Sequence, residues 1–273
     1  MTRLPKIYLK ILLLGCLLGS CGAEENTANT TAKIQPTIIF AASSLSEPLY
    51  AIKEAFLATQ PTANLEISTA SSAQLARQII HGAPAALFLS ANQFWIDDLK
   101  NKQLISTPKP IAGNKLVLAA TTSSLTNTSI ALDVATYIKS LPPFSLAIAD
   151  PALSPLGRYT QTLLERYDVW QHVEGHLVLA PNAIRTRAFV ETGQTELAIL
   201  YHSDTINNPR LKPVINFAIQ HNPKVIYWAA VNDSYKYDKI VMEFFSFLTS
   251  EKAQDIFTTY GFLSQNDATL FNP

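Results

Sequence analysis

From residue 37 onward, short apolar runs that end at small or hydroxyl residues are each followed by a stretch with helical spacing. "TIIFAA" (37–42) gives way to "LSEPLYAIKEAFLATQP", where Leu49, Ile52 and Phe56 share one helical face and Pro61 closes the run. "NLEIST" (64–69) precedes "AQLARQIIHG" (73–82), ended by Gly82, and "AALFLSA" (85–91) precedes "NQFWIDDLKNK". The rhythm resumes at "NKLVLAAT" (114–121) and continues through "DVATYIKSL", "SLAIAD", "RYTQTLLERYDVW", "HLVLA", "IRTRAFVETG" and "ELAILYHSD". "VIYWAAVND" (225–233) is a further strand, and the stretch from Tyr237 to Phe262 supplies two closing helices broken near Ser250. Strands alternating with helices predict βαβ units around a parallel sheet. Such a sheet is covered on both faces, which accounts for runs such as "TIIF" and "ALFL" without polar alternation. The fold class expected is α/β, two doubly wound lobes, with ligands bound beyond the carboxyl ends of the strands.

The chain has 273 residues, enough for a sizeable core in two parts. Its 21 basic and 21 acidic side chains cancel, and no basic stripe is present, so nucleic acid is not an expected partner. An anion would have to be caught by local geometry. The first 36 residues are expected to lie outside the fold. Arg3, Lys6 and Lys10 precede the apolar run "ILLLGCLL" (11–18). That run is far short of the ~20 residues needed to span a bilayer, which makes it the core of a signal peptide, residues 1–20. "LLGSC" then resembles the lipobox of bacterial lipoproteins, with Cys21 as the lipidated first residue of the mature chain. Cys16 is the other candidate, but cleavage there would leave an apolar start. Residues 21–36 are polar, small and aperiodic, as a flexible tether would be. After cleavage Cys21 is the sole cysteine, so no intrachain disulfide is expected.

Two strand-to-helix junctions carry serines. Ser44-Leu45-Ser46-Glu47 fits the S-x-x-E capping box, although Pro48 complicates that register. Ser71-Ser72-Ala73-Gln74 fits S-x-x-Q. Singly, each is more often a cap than a site. Together they set two helix N-termini, rich in N–H and O–H donors, at strand carboxyl ends, where dipole and amides both favour an anion. The second half offers matching junctions at "IADPALSPLGRYTQ", where Gly157 permits close backbone approach, and at "LAPNAIRTRAF". "LAILYHSD" ends a strand at Tyr201, whose hydroxyl can donate.

In order, "FAASSL", "SSAQLARQIIHGAPAALFLSAN", "GNKLVLAA", "ADPALSPLGRYTQTLL", "RAFVETGQTELAILYHSD" and "TTYGF" resemble the molybdate-binding component of bacterial ABC transporters, collinearly over nearly all of residues 37–263. The resemblance implies a hinged periplasmic-binding-protein fold of type II, with lobe I at 37–113 and 228–273, lobe II at 114–227, and crossings near Gly113 and Tyr227. It implies a ligand, molybdate or tungstate, held by neutral donors: hydroxyls of Ser44 and Ser72, amides of Leu156 and Ala183, and the hydroxyl of Tyr201. No cofactor, no protein–metal bond and no catalytic residue are implied. The expected partners are an ABC permease with its ATPase. The expected setting is the periplasm or the outer face of the cytoplasmic membrane, reached through a lipid anchor, and the expected state is a monomer. A site with donors and no acceptor prefers a fully ionised dianion over phosphate that still carries a proton, and excludes sulfate only by size.

Departures from the family pattern cluster in the second half. Leu156 stands where alanine is usual, Ala183 where valine is frequent, Ile184 where arginine is common, Ala86 for a frequent aspartate, and Trp228 for a frequent proline. Arg185 and Arg187 are unusual at their positions. They and Arg158 could add charged donors near a cleft, but a solvated helix face is the commoner fate for Arg185 and Arg187. His172 and His176 in "HVEGH" lack the H-E-x-x-H order and a third ligand, so a surface loop is expected there. Trp95 and Trp170 fall in amphipathic helical segments and read as core. The alternatives are a binding protein for another tetrahedral oxyanion such as sulfate, a sensor or adaptor with the binding fold but no transport role, and a serine hydrolase. The last would need a base beside a serine, and neither "FAASSL" nor "TASSA" resembles G-x-S-x-G.

Overall fold

The computed structural model describes residues 36–123, 133–141 and 144–267. The expected signal peptide, Cys21 and nearly all of the tether lie outside these residues.

The strands form two five-stranded sheets. In the first, β1 (Thr37–Ala42), β2 (Leu65–Ala70), β3 (Leu87–Ser90), β4 (Ile105–Asn114) and β10 (Val225–Asn232) stand in the order β2-β1-β3-β10-β4. In the second, β5 (Leu116–Thr121), β6 (Leu146–Ala149), β7 (Leu177–Ala180), β8 (Leu197–Tyr201) and β9 (Leu211–Asn216) stand in the order β7-β6-β8-β5-β9. Each sheet is mixed, which corrects the expectation of parallel pairing throughout. β10 runs antiparallel to β3 and β4, and β5 runs antiparallel to β8 and β9. The reason is topological: β5 and β10 are the strands by which the chain enters a sheet from the other one, so no right-handed helical crossover sets their direction. The passage out falls between Asn114 and Leu116, and the return within 217–224, ahead of Tyr227, which lies inside β10.

Helices cover both faces. Along β1, Ile39 and Ala41 pack with Leu49, Ile52 and Phe56 of α1 (Ser46–Leu57) and with Phe244 and Phe257 of α8 (Lys239–Phe247) and α9 (Glu251–Thr259). Phe40 points the other way, toward Leu75 and Ile79 of α2 (Ser72–Ile80) and Ile96 and Leu99 of α3 (Gln93–Asn101). Alternate side chains of one strand thus feed two apolar layers. β5 repeats this: Leu116, Leu118 and Ala120 join the large core, while Val117 and Ala119 face Val190 of α7 (Ala183–Glu191). The remaining helices are α4 (Val134–Ser140), α5 (Pro155–Arg166) and the single turn α6 (Trp170–Val173). Ser250 caps α9 by accepting from the Ala253 amide, which explains the break after α8.

Two strands absent from the expected set are β4, "ISTPKPIAGN", and β9, "LKPVIN". Both contain proline and both are edge strands. A missing N–H is tolerated at an edge, where it need not join a ladder.

Candidate functional site

Every strand-to-helix junction singled out in the sequence lies at the carboxyl end of its strand. Pocket-lining residues come from both sheets: Ala42 ending β1 with Ser43 and Ser44 after it, Ser71 and Ser72 after β2, Ala91 after β3, Ser154 and Pro155 after β6, Ala183 after β7, and Tyr201 ending β8. The lining borders a small hollow of about 190 Å³, part of it open to solvent. Its size suits a small ion.

The pocket wall is made of helix starts. Ser71 caps α2 by accepting from the Gln74 amide at 3.3 Å, as its S-x-x-Q spacing predicts. Ser72, the first helical residue, is fully buried. The capping box at Ser44 does not form. Residues Ser43–Leu45 make a 3-10 turn, α1 begins at Ser46, and its cap position, Leu45, has no side-chain cap bond. Pro48 then falls inside the first turn, where its missing N–H costs nothing. In the second lobe Asn182 caps α7 through the Arg185 amide at 3.0 Å, and Pro155 occupies the first position of α5. The first-turn amides of α2, α5 and α7, among them those of Leu156 and Ala183, have no intrahelical acceptor. The Leu156 side chain is buried and does not line the pocket, so any contribution from it would come through backbone.

Gly157 explains how α5 is placed. A Cβ there would sit 2.3 Å from the Ala149 carbonyl oxygen and 2.5 Å from the carbonyl carbon of Asp150. Only glycine lets the helix start press onto the end of β6.

The polar side chains of the pocket are serine and tyrosine hydroxyls, which can donate as well as accept. The Ser44 Oγ accepts from the Tyr227 hydroxyl at 3.0 Å, and the Ser72 Oγ accepts from the Ala91 amide at 3.1 Å. The Tyr201 hydroxyl is buried and has no partner at ordinary hydrogen-bond distance, the Tyr227 hydroxyl being its polar neighbour. Burial holds the Tyr201 phenol well above its usual range, as it does for Tyr227, so both stay protonated. No histidine and no carboxylate lines this pocket, although Ser44 also borders the neighbouring hollow that holds Glu47 and Asp204.

A second hollow of about 430 Å³ shares Ser43 and Ser44 and is walled by Glu47, Arg187 and Asp204. Here the structure corrects the solvated reading of Arg187. Its guanidinium lies 2.9 Å from Glu47, 3.5 Å from Asp204 and 3.6 Å from Glu191, and so ties α7 to α1 across the cleft. Arg185 is exposed. Arg158 is exposed too, over the Phe94 ring at 5.3 Å and bonded to the Pro151 carbonyl. None of the three arginines lines the donor pocket. His172 is exposed, His176 stacks on Phe144, and no cluster of metal-ligating side chains occurs among the described residues. Trp95 and Trp170 pack against the apolar layers. The sequence reading missed Tyr227 and Tyr159, whose hydroxyl donates to the Ala91 carbonyl at 3.1 Å. Their partners lie 183 and 68 residues away, beyond any local spacing.

Residues 38–263 match the family model described as bacterial extracellular solute-binding protein. The chain is 32% identical over 226 residues to the molybdate-binding protein ModA of Escherichia coli, covering 82% of this chain and 87% of that protein. It is 29% identical over 264 residues to the molybdate-binding protein ModA of Haemophilus influenzae, covering 96% and 99%. The solved periplasmic molybdate-binding protein of Azotobacter vinelandii shares the fold, with a TM-score of 0.72 at 19% identity over 83% of this chain and 98% of that one.

Proposed function

The chain belongs to the bacterial extracellular solute-binding proteins, and we propose that it captures molybdate, and tungstate in the same pocket, for delivery to an ABC permease and its ATPase. One observation carries the reading: a fully buried tyrosine hydroxyl without a partner at ordinary hydrogen-bond distance lines a small pocket in which Ser44 and Ser72 already receive hydrogen bonds. An orphaned buried donor costs roughly 1–3 kcal/mol, which an acceptor in the pocket would relieve. A small, proton-free tetrahedral dianion offers acceptors on every side. Ser44, Ser72 and Tyr201 would bind it through hydroxyls, and Leu156 and Ala183 through amides. The relatives named above, both molybdate-binding proteins, support the same choice.

No chemical step is part of this reading. Closing the two lobes about the strand crossings would bury the ion, and binding energy would select the closed arrangement. The protein is read as a monomer held outside the cytoplasmic membrane by lipid on Cys21. Among the described residues no helix is long and apolar enough to cross a membrane. Calorimetric titration of the purified protein with molybdate, tungstate, sulfate and phosphate tests the ligand. One-to-one binding of molybdate and tungstate is expected. Tight sulfate binding in their place would transfer the protein to that neighbouring specificity, and binding of none of the four would overturn the oxyanion reading.

A further inference from the structure

The pocket's preference for an ion without protons depends on which way its serine hydrogens point. A serine hydroxyl has one hydrogen and two lone pairs, and left alone it can donate to a ligand or accept from one. Neither Ser44 nor Ser72 is left alone. Ser72 Oγ is held by the Ala91 amide, which can only donate. Ser44 Oγ is held by the hydroxyl of Tyr227, a residue on β10 that is fully buried and does not line the pocket. The Tyr227 ring is fixed by Phe262, with centroids 5.3 Å apart at 63°, and by Tyr201 at 6.1 Å. Among the described residues neither serine hydrogen has an acceptor within the fold. The hydrogen of Ser44 is therefore free to face the pocket, and turning it back would require the Tyr227 hydrogen to leave Ser44 for another acceptor, such as the Asn114 side chain.

We propose that Tyr227 is a positioning residue for ligand selection: by donating to Ser44 it commits that serine to donate in turn, so that the pocket rejects oxyanions that carry a proton. The inference rests on the oxyanion reading of the pocket and adds a residue that does not touch the ligand. With a phenylalanine at this position, Ser44 could reverse and accept from a hydrogen phosphate, while keeping its own hydrogen for another acceptor. The phenol suits this role because it is buried and stays protonated across the physiological range.

The test is Tyr227→Phe, which keeps the ring and removes the donor. Molybdate affinity is measured by calorimetry at pH 6, and phosphate by its ability to displace molybdate. The variant is expected to bind molybdate about 3–30-fold more weakly, and phosphate is expected to displace it at concentrations that leave the wild type unaffected. The ratio of the two affinities should narrow by about tenfold or more. A uniform loss with an unchanged ratio, or no loss, would overturn the proposal, since a merely structural role moves both ligands together. Adding Tyr227→Phe to Ser44→Ala should change neither affinity further, and additive losses would also overturn it. If the wild type binds a different dianion in place of molybdate, the ligand assignment fails while the same ratio, taken with that dianion, still decides the role of Tyr227. A wild type that binds no oxyanion overturns both.

Discussion

Tyr159 of α5 donates its hydroxyl to the carbonyl oxygen of Ala91 at 3.1 Å, and the amide of the same Ala91 donates to Ser72 Oγ. One peptide segment after β3 thus joins a helix of the second lobe to a pocket hydroxyl of the first. Burial raises the Tyr159 phenol far above its ordinary range, so the bond persists at any working pH. Tyr159→Phe removes one cross-lobe hydrogen bond, worth about 1 kcal/mol. The expected result is roughly fivefold weaker ligand binding, carried mainly by faster release. A displacement experiment that finds wild-type release would show that this bond does not hold the lobes together.

Ser72→Ala and Tyr201→Phe separate ligand contacts from fold contacts. Each removes a donor to a charged acceptor, so each should weaken molybdate binding by about 10–100-fold. Their effects without ligand should differ. Ser72→Ala deprives the Ala91 amide of its acceptor and should lower the melting temperature. Tyr201→Phe deletes a buried hydroxyl with no partner at ordinary hydrogen-bond distance and should leave stability equal or raise it by up to about 1 kcal/mol. Thermal unfolding with and without molybdate checks both, and a Tyr201→Phe protein that melts well below wild type without ligand would contradict the orphaned-donor argument.

Gly157→Ala tests the placement of α5. With backbone atoms of Ala149 and Asp150 within 2.6 Å of the added carbon, no side-chain rotation can make room. The helix start must lift off β6, carrying the amide of Leu156 with it. Molybdate affinity should fall by more than tenfold and stability by about 2 kcal/mol or more. Wild-type affinity in this variant would show that the α5 N-terminus takes no part in binding.

The junctions were legible because capping, dipole and turn chemistry are local. Ser71 with Gln74, Gly157, and Ser250 as a break are each decided within a few residues. The prolines of β4 and β9 hid two strands, since edge pairing is a property of the finished sheet and not of the segment. The sheet direction of β5 and β10 was hidden for the same reason. Ser44 illustrates the remaining limit: its sequence spells a cap, while its hydroxyl is claimed by a tyrosine 183 residues away. Arg187 likewise reads as an exposed helix cation until folding brings Glu47, 140 residues distant, to its side.

Arg187 and Asp204 together predict a pH dependence. Asp204 is buried with one oxygen unpartnered, and its carboxyl is pushed up to about 7. Burial is the largest cause. Arg187 opposes it, but the guanidinium is shared with Glu47 and Glu191, whose charges push Asp204 further up. The folded state therefore holds this proton more tightly than the unfolded chain, where an aspartate titrates near about 4. The contribution of Asp204 to stability is full below about pH 4, declines as pH rises, and is lost once pH passes about 7. Asp204→Asn should accordingly flatten the fall in stability between pH 4 and 7 and gain on wild type at pH 8. Arg187→Leu should act in the opposite sense, because it leaves an ionised Asp204 without its cation. Its cost at pH 8 should be about 2 kcal/mol, discounted from a fully buried pair because the arginine is partly exposed. At pH 5, where Asp204 is mostly protonated, the cost should be clearly smaller. Denaturant unfolding of the three proteins at the two pH values decides the matter, and an equal Arg187→Leu cost at both would mean that Asp204 is not the titrating group.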